Sequence, residues 1–151
     1  MRLPLRQTLA FMAASLWWGS LTGLGFVVVP LLFRHLGSPA AAGAMAARLF
    51  TAQTWLSVAC AMLMLLAFNK KDELTPAPYA AAAMKFIVAG FLLALMVEFG
   101  VAPRIVSVRA EGGNLKLWHG LGSAMYVGQW LCAGFTLWRL ARRQGSFSPP
   151  A

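Results

Sequence analysis

One stretch constrains this chain more than any other. Residues 7–33, QTLAFMAASLWWGSLTGLGFVVVPLLF, carry no charge between Arg6 and Arg34. Roughly 20 residues of α-helix cross a hydrocarbon core, so this run spans a bilayer with length to spare, and must tilt, kink at Pro30 or project. Three further runs have the same character, which places spans at about 8–33, 49–68, 86–102 and 117–140. Composition agrees: 60% of the 151 residues are hydrophobic and 11% charged, where soluble domains average about 45–50% and about 25%. The expected fold is all-α, a four-helix transmembrane bundle in one integral membrane domain over residues 1–151, with 141–151 as a basic, frayed tail. The bilayer is then its first partner.

The first run has a rival reading as a signal peptide, since Arg2 and Arg6 resemble an n-region. Its length far exceeds the roughly 7–15 residues of an h-region, and no small-residue cleavage site leads into polar sequence, so it is read as a retained helix. The net charge of +9 does not point to nucleic acid, because the basic residues sit between apolar runs instead of gathering on a soluble face. They read as topology. Four spans put both termini on one side, with Arg2, Arg6, Lys70, Lys71, Lys85, Arg139, Arg142 and Arg143, against Arg34, Arg48, Arg104, Arg109 and Lys116 opposite. The majority favours cytoplasmic termini.

The joints fit this layout. Ser38-Pro39 offers an N-cap with proline at the first helical position, so the second helix can begin at Pro39 ahead of its apolar run. NKKDELTPAP makes a polar turn between spans two and three, and Gly112-Gly113-Asn114 breaks the chain before span four, with Asn114 as an N-cap. A short echo, FVVVPLLFR closing span one and FGVAPRI closing span three, with RLF and KLW opening the spans that follow, points to two helical hairpins in parallel orientation; convergence on proline-arginine helix ends is the alternative. Ser15, Gly19 and Gly23, and likewise Gly120, Ala124 and Gly128, form small-residue grooves for neighbouring helices. His119, Ser123, Tyr126 and Trp130 form a second stripe expected to face the bundle interior, and Gln53, Ser57 and Cys60 a polar line for interhelical hydrogen bonds.

Charge inside a membrane carries the most functional information, because an ionisable group near its centre costs at least about 2.5–3.5 kcal/mol. Glu98 is such a group, about four residues from the outer end of span three and so roughly 6 Å deep. Candidate partners at that end are Arg48 and Gln53 opening span two, Lys116 and His119 opening span four, and Arg34, His35 and Arg104 closing spans one and three. Either Glu98 pairs with an arginine as a clamp while the other cations reach for phosphates, or Glu98, His119, Arg48, Lys116, Gln53, Arg104 and Arg34 build a ligand site.

No residue spacing supports an enzyme: there is no nucleophile with its base, no phosphate-binding glycine loop and no carboxylate pair within the spans. Cys60 and Cys132 lie at different depths, which argues against a disulfide. The eight methionines lack metal-site spacings and read as core filler, so no metal site is expected. A haem would need an axial ligand, for which His119 is better placed than His35, at a helix end.

LWWG in span one, Pro30 to Phe33, Pro39 to Gly43 followed by Leu49 and Phe50, Pro103 after span three and His119 near the start of span four together resemble the transmembrane protein 205-like family, over nearly the whole chain. Its bacterial members are four-span proteins of unknown function; its eukaryotic namesake is associated with platinum-drug resistance. The fold is similar to the copper-resistance CopD-like group, which includes a haem-dependent protoporphyrinogen oxidase. The resemblance implies a bacterial-type inner membrane and the handling of metal complexes, haem or small solutes. A second membrane histidine and methionine-rich motifs are missing here, so only His119 and its neighbours carry over. The expectation is a membrane protein that binds or transports a small or anionic solute through the outer-leaflet cluster, with no cofactor. The alternatives are a haem-binding redox protein held by His119 and a structural subunit, as a homo-oligomer or within a membrane complex.

Overall fold

A computed structural model describes residues 5–68 and 77–145, with backbone alone at 77–81 and 143–145. Arg2, residues 69–76 of the polar turn and the tail beyond Gly145 lie outside the described residues. Four helices make up the rest. Helix α1 joins Leu5–Gly23, a wide π-helical turn at Leu24–Val28 and Val29–His35; α2 is Pro39–Phe68; α3 joins Ala77–Met96, a second π-helical turn at Val97–Val101 and Ala102–Glu111; α4 is Leu115–Gly145. Among the described residues three stretches are long and apolar enough to cross a membrane: Leu5–His35, Pro39–Phe68 and Ala82–Glu111. Helix α4 has comparable length, 31 residues, but also carries Lys116, Gln129, Arg139 and Arg142.

The bundle is built for lipid. Large apolar side chains cover its outside, as Leu16, Phe26, Trp55 and Met96 do at more than half exposure, while alanine, glutamine, serine and threonine fill much of the interior. Water would reverse that arrangement; in a bilayer, helices associate by close packing and by hydrogen bonds between small and polar residues. The chain is a membrane protein.

Local chemistry sets the joints. Ser38 Oγ accepts the Ala41 N–H at 3.2 Å and Asn114 Oδ1 accepts the Leu117 N–H at 3.0 Å, so each returning helix starts on a side-chain cap. Gly112 and Gly113, at φ 88° and 144°, take conformations that side chains disfavour and so stop α3. Pro30 and Pro103 have no N–H to donate to the carbonyl four residues back, and their rings crowd it. Each helix relieves the conflict by widening one turn just ahead of its proline, and then continues. That is how the first apolar run passes Pro30 and reaches His35.

Each helix packs on two others, α1 on α2 and α4, and α3 on α2 and α4. The two hairpins share one burial register. Ala10, Ala14, Trp17 and Leu21 of α1 are buried, as are Ala83, Ile87, Gly90 and Ala94 of α3; Gln53, Ser57, Cys60 and Met64 of α2 match Gln129, Ala133, Thr136 and Leu140 of α4. Matched positions meet across the bundle. The Trp17 ring occupies the space that a Cβ on Gly90 would take, 2.6 Å from its Cη2, and the Phe50 and Tyr126 rings meet edge-on at 5.3 Å. Trp17 and Gly90 are thus large and small halves of one contact.

Candidate functional site

The end of the bundle that holds both hairpin tips is basic. Arg34, Arg48, Arg104, Lys116 and His119 all lie on its outer surface, exposed, and His35 with them. None of these six is joined to Glu98. The half-buried Glu98 carboxylate instead accepts the Thr51 hydroxyl proton at 2.9 Å, and Thr51 is its one hydrogen-bond partner among the described residues. Gln53, buried two residues further along α2, takes another course: its Nε2 donates to Ser20 Oγ at 2.9 Å and to Ser57 Oγ at 3.3 Å, tying α2 to α1. The candidate residues therefore separate into an outer rim of cations, a carboxylate held by threonine, and an interior amide.

The α4 stripe also divides. His119 and Ser123 face outward, while Tyr126 and Trp130 turn into the bundle and bond α1. Trp130 Nε1 donates to Thr22 Oγ1 at 2.9 Å, with the Trp18 ring stacked on it at 5.9 Å and Phe26 edge-on at 5.5 Å. Tyr126 Oη donates to the Leu21 carbonyl at 2.7 Å, and the Gly25 amide faces the same oxygen. In a regular helix that carbonyl and that amide would bond each other. The tyrosine hydroxyl has entered the gap the π turn opens, and it does so because residue 25 has no side chain: a Cβ there would stand 2.7 Å from Tyr126 Cε1. Position 25 in the first π turn matches position 98 in the second, so one wide turn admits a tyrosine and the other presents a carboxylate.

Beneath this layer the buried N–H donors Trp17 Nε1 and Gln129 Nε2 have no partner among the described residues. Both side chains are nearly or fully buried, at 0% and 4% exposure. Gln129 is the counterpart of Gln53, but where Gln53 meets Ser20 the matching position on α3 is Leu93, which accepts nothing. An amide donor left bare in an apolar interior costs about 1–3 kcal/mol, and such a group asks what it is kept for. Sequence reasoning missed both donors, along with Thr51 and the role of Tyr126. Their one advance signal was Gln129 itself, an amide in the middle of an apolar run.

Other chemistry finds little here. Cys60 and Cys132 are free thiols, and no three His, Cys, Asp or Glu side chains converge among the described residues. Both histidines are exposed, so no buried pair of histidines is available to a haem.

The family model described as a domain of unknown function, DUF4149, matches residues 12–114, from the first helix to the cap of the last. The chain belongs to that family. No curated protein and no solved structure matches it.

Proposed function

We propose that this DUF4149 membrane protein binds a small anionic solute, gathered by the basic rim and seated on the N–H donors of the bundle interior. The observation that carries the reading is the pair of buried, unpartnered donors, Trp17 Nε1 and Gln129 Nε2. Both are donors, so an acceptor complements them, and a dehydrated monovalent anion gains most from N–H groups in a low-dielectric interior. Arg34, Arg48, Arg104 and Lys116 raise the local concentration of anions at the tip end. Glu98, the carboxylate of the second π turn, disfavours multiply charged solutes. His119, at the edge of α4, belongs to the rim.

The same reading puts the protein in a bacterial-type inner membrane with both termini cytoplasmic, supported by the excess of basic residues at the end opposite the tips. The tip end, with its rim, then faces outward. The resemblance to the transmembrane protein 205-like family goes with it, supported by LWWG, Pro30, Pro103 and His119 of the sequence.

The test is thermal unfolding of the purified protein in detergent with chloride, nitrate or formate, against gluconate at equal ionic strength. A seated anion raises the unfolding temperature in proportion to the logarithm of its concentration. Trp17→Phe and Gln129→Leu, which remove the donors and leave an apolar side chain in place, should abolish the rise. An equal response in the wild type and both variants would sink the proposal and leave the cations as lipid-headgroup anchors.

A further inference from the structure

On the flank where α1 packs on α4, aromatic side chains collect at a surface that faces lipid. Trp18, Trp130, Phe135 and Trp138 wall an open groove of about 490 Å³, which Leu131 and Gly134 also line. The Trp18 and Trp130 rings stack at 5.9 Å, and the Phe135 and Trp138 rings meet at 5.3 Å. A Cβ on Gly134 would stand 2.8 Å from Trp18 Nε1, so the missing side chain is what lets the N–H edge of that indole lie against α4. Trp130 Nε1 donates to Thr22, whereas Trp18 Nε1 has no acceptor among the described residues. In hydrocarbon no water satisfies such a donor, and the acceptor has to come from whatever fills the groove.

We propose that this groove binds a lipid-soluble quinone, its ring stacked on the indole walls and one carbonyl oxygen accepting the Trp18 N–H. Three features choose this occupant. The walls are flat, electron-rich aromatic faces, and a quinone ring is flat and electron-poor, so the two stack favourably. The donor lies deep: at about 1.5 Å per residue Trp18 is about 18 Å along α1 from Arg6, and Gly134 about 8 Å along α4 from Arg139. A phospholipid carries its ester oxygens at the interface and its chains offer no acceptor, whereas a quinone is neutral and takes its carbonyl oxygens into hydrocarbon with it. The volume is also right, within the roughly 300–1,000 Å³ of small-molecule sites that combine apolar walls with a few placed polar groups. Leu131 and Trp138 are exposed on the lipid side, so the ring enters from the bilayer and an isoprenoid tail stays there.

The experiment is an NMR titration of the full chain in micelles, with nitrogen-labelled indoles, using 2,3-dimethyl-1,4-naphthoquinone and then 2,3-dimethylnaphthalene, the same rings without the carbonyl oxygens. The Trp18 signal is the one missing in Trp18→Phe. In wild type it should shift saturably with the quinone, while the signal of Trp55, exposed on α2, stays in place. The quinone should bind about fivefold more tightly than the hydrocarbon, the worth of one hydrogen bond. In Trp18→Phe, followed through the Trp138 signal, the two compounds should bind equally, and Trp55→Phe should keep the wild-type difference. Equal affinity of wild type for the two compounds, a preference that survives Trp18→Phe, or displacement of the quinone by excess phosphatidylglycerol would each overturn the site. None of these results depends on Trp17 Nε1 or Gln129 Nε2, so this site and the anion seat stand or fall separately.

Discussion

The two π turns began as the same solution to the same problem, a proline in the middle of a membrane helix, and they have been put to different use. In the first, Gly25 leaves room and Tyr126 closes the gap, its hydroxyl on the Leu21 carbonyl. In the second, Glu98 stands at the matching place and is held by Thr51 alone among the described residues. The glutamines one layer deeper differ in the same sense: Gln53 is tied to Ser20, and Gln129 Nε2 has no partner. The polar groups are thus satisfied unequally: the Gln53 amide and the Tyr126 hydroxyl are bonded, while Gln129 Nε2, like Trp17 Nε1 on the first hairpin, has no partner among the described residues. In lipid, water cannot satisfy what the protein does not, and it is on these bare donors that the proposed anion seat rests.

The comparison breaks first at glycine. Gly25→Ala should destabilise the bundle by about 2 kcal/mol, because the new Cβ meets an aromatic ring fixed on both sides. Gly100→Ala, in the second π turn with nothing within 4 Å of the added atom, should leave stability unchanged or slightly raised. Equilibrium unfolding in mixed micelles measures both, and equal losses would mean that the π turns, not their occupants, set the sensitivity. Next in size, Tyr126→Phe should cost about 1 kcal/mol by leaving the Leu21 carbonyl bare in the widened turn, a loss visible in the same unfolding curves. Smaller again, Gln53→Leu should cost about 0.6 kcal/mol, the usual worth of an interhelical hydrogen bond in a membrane. Gln129→Leu should cost nothing in gluconate, since it removes an unpaired donor, and a clear loss there would show that Gln129 is structural after all. Last, Glu98→Gln should leave stability almost unchanged, because an amide oxygen still accepts from Thr51, while admitting divalent anions such as sulfate to the thermal-shift response. An unaltered anion selectivity would remove Glu98 from the path.

Much of the architecture was legible because lipid makes simple demands. Runs free of charge marked the helices, Ser38 and Asn114 marked two of their starts, and the echo around Pro30 and Pro103 pointed to the hairpin repeat. The inward faces were not legible. In a bilayer both faces of a helix are apolar, so hydrophobic period carries little news: Leu16 faces out and Leu21 in, Trp55 out and Trp17 in. Small residues were equally ambiguous. Gly19 and Gly120 have no neighbour within 4 Å, whereas Gly25, Gly90 and Gly134 each lie under an aromatic ring, and nothing local distinguishes the two sets. At the site, Glu98 stood out as a lone carboxylate, but its partner did not, since a cation is the obvious counterpart and a threonine in an apolar run attracts no notice. His119 was conspicuous for the opposite reason. Its residue type suggested chemistry, and its position on the helix turned it outward.

The Trp17–Gly90 contact has a consequence for the symmetry of the fold. Two identical hairpins meeting about an axis would present either two indoles to one space or two glycines to a hole, and neither arrangement packs. A chain that holds both hairpins escapes this symmetry, because bulk gained in one half can be offset by bulk lost in the other. With the indole in one half and the glycine in the other, neither half fits a copy of itself, so the two hairpins complement each other only as unlike partners.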